Sequence, residues 1–326
     1  MKVCFFHRNI AAGYSINKVT QTIIRNISDK EEFYVPYADA SLKSIVGNLL
    51  FVYKNRNKNA INHITGDIHY CILALIGCKS VLTIHDTVNL DFHNLSRVKR
   101  IIMVWLWFRL PLLFATKIVC ISEETKRCVM RYTNRKDIVV IHNAIDPLFK
   151  FIPRKSHQED SPSILMIGTN PNKNLLRIFE ALQNVKCKLT IVGKLSEEQI
   201  AALGSWHINY VNKQNLSDEQ ILEEYAKCDV VSFVSLFEGF GMIVIEANKI
   251  GRPVVCSDIP VLKEVAADAA VFVNPYNIDE IKNGFTQLLI DRILYRDCVQ
   301  KGFRNVQRFD SNVIVSRWEK IYESFD

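Results

Sequence analysis

The sequence predicts an α/β protein built from two Rossmann-like, doubly wound domains facing a central cleft. Three observations predict it. Short apolar runs rich in Val, Ile and Phe alternate with longer helical patterns. The alternation restarts after a polar gap. The residues of unusual chemistry fall just after the strand-like runs, where doubly wound sheets bind ligands. At 326 residues the chain is comfortable for two domains of ordinary size.

The first half runs "KVCFFH", then the helical "INKVTQTIIRNI", then "SVLTIHD", then "KIVCIS" with "EETKRCVMRY", then "IVVIHN". The gap is "DPLFKFIPRKSHQEDSPS", Asp146 to Ser163, polar and with three prolines, which reads as an interdomain linker. The second half runs "SILMIGT", "NLLRIFEALQNV", "KLTIVGK", "SEEQIAALG", "DVVSFVS", a helix after Gly241, "PVVCSD" and "AAVFVNP". The segment "NVIVSRWEKIYESF" reads as an amphipathic helix. The expected domains are residues 1–148 and 149–310, with a closing helix over 311–326.

The net charge of +7 favours anionic partners, and no long Lys/Arg run argues for nucleic acid. Nine cysteines lack a CxxC pair, and several sit in apolar strands, which fits reduced, buried thiols in a cytoplasmic protein. "MKVCFFHRN" reads as a first strand, not a leader. The apolar run "IIMVWLWFRLPLLFATKIVCIS" is broken by Arg109, Pro111 and Lys117, so no spanning helix is expected. With Arg97, Lys99 and Arg100 ahead of it, the run suits either a basic surface at an anionic inner membrane face or a buried helix with a few surface bases.

The chemistry concentrates in "SLFEGFGMIVIEANKIGRP". Glu238 precedes a Gly-Phe-Gly turn, and Glu246 lies eight positions on, inside an apolar helical pattern closed by Gly251 and Pro253. Gly239 and Gly241 let backbone approach a ligand, and the helix start beyond them offers free N–H groups to phosphate. Eight helical residues span roughly 12 Å, the scale of a nucleotide-sugar. Carboxylates would repel a diphosphate, so both acids should accept from hydroxyls at opposite ends of the ligand. The plain alternative is that Glu238 complements the helix dipole and Glu246 is a surface residue.

The stretch "FEGFGMIVIEA" resembles the Glu-x7-Glu motif of retaining glycosyltransferase family 4, which has the GT-B fold. The resemblance covers most of the chain. "GTNPNKNLLRIFEAL" and "VVCSDIPVLKEVAADAAVFVNP" are similar to other parts of that family's C-terminal half. "HITGDIHY", "VLTIHD", "VCISEETKR" and "VIHNAIDPLF" are similar to landmarks of its N-terminal half. The resemblance implies a nucleoside diphosphate sugar donor held by the C-terminal domain. It places Glu238 on the sugar, Glu246 on the ribose, and the backbone of Gly239, Phe240, Gly241, Met242 and Ile243 by the sugar and phosphates. It places Lys173, which follows a strand and Gly168, on the diphosphate. The family pattern has an Arg near there as well, where this chain has Thr169 and Asn172, and Lys194 after "TIVG" is a substitute candidate. Cations are needed there because the leaving diphosphate gains charge.

The resemblance also implies that His85 reaches the donor sugar from the N-terminal side, that the loop of Gly13 lies beside phosphate and acceptor, and that the closing helix packs on the N-terminal domain. That loop is not GxGxxG. Ser15 beyond it reads as an N-cap. His63, Asp67 and His69 alternate across a strand end in a way that spreads them, so no metal site is expected. No nucleophile stands out, so the implied chemistry is the family's front-face transfer of a hexose-type sugar, with retention, to a glycan or lipid-linked acceptor in bacterial surface polysaccharide synthesis. No cofactor is implied beyond the donor. The alternatives are a non-catalytic sugar-nucleotide-binding subunit and a GT-B sugar-nucleotide epimerase.

Overall fold

In a computed structural model describing residues 2–13, 15–87, 96–154 and 161–325, the chain divides into two compact units. Unit 1 is Met1–Asp146 with Phe309–Asp326, and unit 2 is Pro147–Arg308. The expected cap at Ser15, and residues 155–160 of the expected linker, lie outside the side chains and residues described.

Unit 1 contains β1 (Val3–His7), β2 (Lys30–Tyr34), β3 (Ile61–Ile64), β4 (Ser80–Ile84), β5 (Lys117–Cys120) and β6 (Val139–Val140). They form one parallel sheet in the order β2-β1-β3-β4-β5-β6. A parallel sheet is covered on both faces, which is why all five residues of β1 are buried. Cys4 and Phe6 face a layer made by α2 (Leu42–Asn55) and the 3-10 segment His69–Leu75. Val3 and Phe5 face the other layer, α1 (Ser15–Ile24) and a helix from the far end of the chain, Ser311–Glu323.

Two expectations need correction. β2, "KEEFY", was not anticipated, because a charged, half-exposed edge strand carries no apolar run. "IVVIHN" forms only the two-residue edge strand β6. The long apolar run becomes α3 (Arg97–Met103), a π-helical turn over Val104–Arg109, and α4 (Leu110–Phe114). Pro111 has no N–H for the carbonyl of Trp107 four residues back. That carbonyl accepts from His69 Nδ1 instead, at 2.9 Å, and the local turn is wide. No helix among the described residues is long and apolar enough to cross a membrane.

Unit 2 follows the helix α5 (Glu123–Val129) of unit 1 and contains β7 (Ser163–Ile167), β8 (Lys188–Val192), β9 (Tyr210–Lys213), β10 (Val230–Phe233), β11 (Val254–Ser257) and β12 (Val271–Val273). Their order is β12-β11-β10-β7-β8-β9, again parallel. The covering helices are α6 (Leu175–Leu182), α7 (Glu197–Ser205), α8 (Asp218–Lys227), α9 (Met242–Ile250), α10 (Pro260–Ala266), α11 (Ile278–Ile290) and α12 (Arg292–Val306). α7 and α8 begin with reciprocal Ser/Gln capping boxes at Ser196/Gln199 and Ser217/Gln220.

The last helix, α13 (Ser311–Glu323), belongs to unit 1. Ile314, Val315, Trp318 and Tyr322 are buried against the β1 face. The Tyr322 hydroxyl lies 2.9 Å from His63 Nδ1, and His63 Nε2 lies 2.7 Å from Thr83 Oγ1. Burial pushes His63 down to about 3, so the imidazole joining helix to sheet is neutral.

Candidate functional site

In a doubly wound sheet the strand order reverses at one point, and the loops leaving the strands there diverge to make a crevice. In unit 2 that point lies between β7 and β10. The two loops are laced together: Leu236 N donates to Asn172 O at 2.8 Å, and Asn172 Nδ2 donates to Phe237 O at 3.3 Å. Across the lacing, Lys173 Nζ donates to Glu238 Oε1 at 2.6 Å. The ammonium sits 4.7 Å from the Phe233 ring centre. The two side chains are 18% and 15% exposed, so the pair is sheltered but reachable. Gly168, at φ +91°, supports the Lys173 stem, and a Cβ there would lie 3.0 Å from Lys173 Cε.

α9 starts four residues beyond Glu238. Its cap, Gly241, has φ +128°, and a Cβ there would press on Leu262. Phe240 is buried, while Gly239, Met242 and Ile243 are partly exposed at the helix start. One turn on, Glu246 Oε2 accepts from the Tyr225 hydroxyl at 2.7 Å. Tyr225 is fully buried, and burial pushes its phenol well above the ordinary range, so it stays a donor. Beyond α9, Arg252 is 1% exposed and donates to the carbonyls of Ala226, Cys228, Ile152, Ile250 and Gly251. A cation at this end complements the helix dipole and holds α9 in place.

Sequence reasoning missed Tyr225 because its partner lies on another helix. If Glu246 holds the ribose, Tyr225→Phe should weaken nucleoside diphosphate binding about three- to tenfold by removing the hydrogen bond that orients the Glu246 carboxylate, the worth of one modest hydrogen bond. Calorimetry with the nucleotide checks this, and unchanged affinity would sink it.

Of the other candidates, Lys194 is exposed on the loop after β8, and its carbonyl accepts from Thr169 Oγ1 at 2.7 Å. Arg177, inside α6, is held by Asn174 Oδ1 at 2.7 Å and lies over the Tyr276 ring.

Unit 1 repeats the arrangement with other residues. Its order reverses between β1 and β3, and there Arg8 NH1 donates to Asp67 Oδ2 at 2.8 Å. Gly13 packs against the Arg8 guanidinium. Trp107 Nε1 donates to Asp67 O at 2.7 Å. His85 Nε2 lies 2.8 Å from Thr65 O, so that nitrogen carries the proton and Nδ1 is left as an acceptor. Burial lowers His85 to about 4. His63, Asp67 and His69 each engage a different partner.

A pocket of about 280 Å³ opens beside the Arg8–Asp67 pair, lined also by Tyr37, Asp39, Tyr70 and Trp107. Asp39 accepts from Ser41 N and Ser44 Oγ, which hold its carboxyl at about 2. Two carboxylates and one guanidinium leave this pocket without the positive charge a phosphate needs. Neither Arg8 nor this pocket was found from the sequence. Its one signal was a cation directly after the first strand.

Residues 149–305 match the family model described as "Glycosyl transferases group 1", and residues 47–148 match "Glycosyltransferase Family 4". The chain belongs to the family 4 type of GT-B glycosyltransferases. Among its relatives is the O-antigen chain mannosyltransferase B of Escherichia coli, 29% identical over 162 residues, which are 44% of this chain and 41% of that protein. The uncharacterized glycosyltransferase MJ1178 of Methanocaldococcus jannaschii is 22% identical over 98% of this chain and 89% of its own length. Among solved structures, Anabaena Alr3699/HepE in complex with UDP superposes with a TM-score of 0.78 at 16% identity, over 99% of this chain and 100% of that one. The segments matched in the mannosyltransferases span less than half of those proteins.

Proposed function

We propose that this glycosyltransferase-family chain transfers a hexose-type sugar from a nucleoside diphosphate sugar to a hydroxyl of a glycan or lipid-linked acceptor in bacterial surface polysaccharide synthesis, with retention of configuration. The observation that carries the proposal is the Lys173–Glu238 pair in the unit 2 crevice, with Glu246 one turn into α9. Lys173 and the N-terminal amides of α9 supply positive potential to a diphosphate. Glu238 and Glu246 supply acceptors for sugar and ribose hydroxyls. In unit 1, the pocket beside Arg8 and Asp67 suits an uncharged sugar unit of the acceptor. His85 Nδ1 is an acceptor for a sugar hydroxyl. The UDP complex of the structural relative and the O-antigen relative support the donor and pathway classes. The proposal includes peripheral attachment to an anionic membrane through Arg97, Lys99 and Arg100.

Release of nucleoside diphosphate that depends on acceptor, with an anomer of unchanged configuration by NMR, tests the transfer. Donor turnover without acceptor transfer, or inversion, would refute it. Transfer should not require a metal ion. Lys173 and the helix start can neutralise the leaving group, and the sequence has no Asp-x-Asp donor-metal motif. Activity of metal-stripped protein in excess chelator should stay near the untreated level; loss restored by Mg²⁺ or Mn²⁺ would overturn this.

A further inference from the structure

Lys173 closes a short 3-10 turn, Pro171–Lys173, and the next residue, Asn174, sits at φ +60° and ψ +28°. That left-handed conformation is uncommon outside glycine, and asparagine adopts it more readily than most side chains. It makes the sharp bend between the turn that carries Lys173 and α6. Asn174 N donates to Pro171 O behind the bend, and Asn174 O accepts from Ile178 N ahead of it, both at 3.2 Å.

An asparagine at a helix start ordinarily turns its side-chain oxygen onto the free N–H groups of the first turn. Asn174 does not. Its side chain is buried, with Nδ2 donating to Pro275 O at 2.7 Å, 101 positions away, and Oδ1 accepting from Arg177 NH1 at 2.7 Å. The partners fix which way the amide faces, since a carbonyl needs the NH2 and a guanidinium needs the oxygen. Glycine would make the same bend without steric cost. The bend alone therefore does not call for asparagine, whereas the link to Pro275 does.

Pro275 lies in the turn between β12 and α11. β12 is at the sheet edge, three strands from β7. α6 and α11 pack together, with Ile178 and Leu182 in the same core cluster as Ile281 and Phe285. Both helices follow parallel strands, so both begin at the crevice end of the sheet. The turn opening α11 is itself braced. The Glu280 carboxylate accepts from Asn274 N at 2.9 Å and from Asn277 Nδ2 at 3.0 Å, and Asn274 Oδ1 accepts from Tyr276 N at 3.0 Å.

We propose that Asn174 is a positioning residue for Lys173, and that the turn at Pro275 is the fixed point from which it holds that lysine ready for a diphosphate. This rests on the reading of Lys173 as the diphosphate cation. A lysine reaches its ligand on a flexible four-carbon stem, so an anchored backbone narrows where the ammonium can go. A cation already in place needs no reorganisation when the anion arrives.

Calorimetry of the full chain with pyrophosphate, which carries the diphosphate charge without base or sugar, tests this. Asn174→Gly keeps the left-handed bend and removes the link; it should weaken pyrophosphate about three- to tenfold. Glu280→Ala loosens the turn from its exposed side and leaves Asn174 in place, and it should weaken pyrophosphate by a smaller factor. The double variant should bind no more weakly than Asn174→Gly, because the turn acts only through that link. Losses that multiply in full would overturn the proposal. So would a lowered unfolding midpoint for Asn174→Gly at wild-type pyrophosphate affinity, which would leave Asn174 a helix cap and nothing more. If Lys173→Met binds pyrophosphate as the wild type does, the reading of Lys173 fails and this proposal with it. If Lys173→Met loses affinity and Asn174→Gly does not, the positioning role alone fails.

Discussion

Replacing Glu238 by Gln should lower kcat by roughly tenfold or more while tightening the free nucleoside diphosphate about two- to fivefold. The charge of Lys173 is paired with Glu238, 2.6 Å away. Gln keeps the size but removes the charge, so the ammonium is released to phosphate. A sheltered ion pair of this kind is worth about 0.5–1 kcal/mol, which sets the gain. The sugar loses a charged hydrogen bond worth about 1.5–3 kcal/mol, and that loss is felt most as the sugar becomes cation-like. Glu246→Gln should leave kcat nearly intact and weaken both donor and free nucleotide. Lys173→Met should weaken the nucleotide about tenfold or more. Calorimetry with nucleotide alone, beside steady-state kinetics, separates these outcomes. If Glu238→Gln and Glu246→Gln weaken the nucleotide equally, the two roles are wrongly assigned.

Between about pH 6 and pH 4.5 the stability of unit 1 should fall by about 4 kcal/mol for each pH unit. Burial holds His7 and His85 at about 4 and His63 at about 3, against an ordinary value of 6.5. His69 is lowered by burial too. Below pH 6.5 the unfolded chain takes up these protons and the folded unit does not. The folded state therefore loses stability as pH falls, until it reaches the folded pKa values near 4. With folding free energies of about 5–15 kcal/mol, a loss of this size is enough to unfold unit 1 in mild acid. Urea unfolding at several pH values, followed by tryptophan fluorescence, checks it, because Trp105, Trp107 and Trp318 lie in unit 1. Stability that stays flat from pH 7 to pH 5, or imidazole NMR signals titrating near 6.5, would count against it.

Much of this was legible in the sequence because it is local. Buried parallel strands read as apolar runs, and β1, β4, β7, β8 and β10 stand where those runs stand. Glu238 and Lys173 were legible as residues that follow strands in a pattern where ligands bind after strands. Their pairing was not, because it joins positions 65 apart through the strand order. Arg8 and Asp67, 59 apart, were hidden for the same reason. β2 was hidden for another: edge position lets Lys30, Glu31 and Glu32 face water, so no periodicity marks it. The apolar run at Ile101 supported two readings in sequence, and in the structure it divides between core and surface. Phe108 and Leu112 enter the core, while Ile101, Ile102 and Trp105 face outward.

The place of α13 reverses the order in which the two units can be finished during synthesis. Unit 2 is a continuous segment, complete once Arg308 has left the ribosome. Unit 1 begins emerging first, yet it lacks Trp318 and Tyr322 until unit 2 has been made. Until then α1 alone covers that face of its sheet, and His63 has no hydroxyl from Tyr322. The half of the protein that is translated earlier is thus the one that waits, half-covered on one side, for a piece delivered after its neighbour has been made in full.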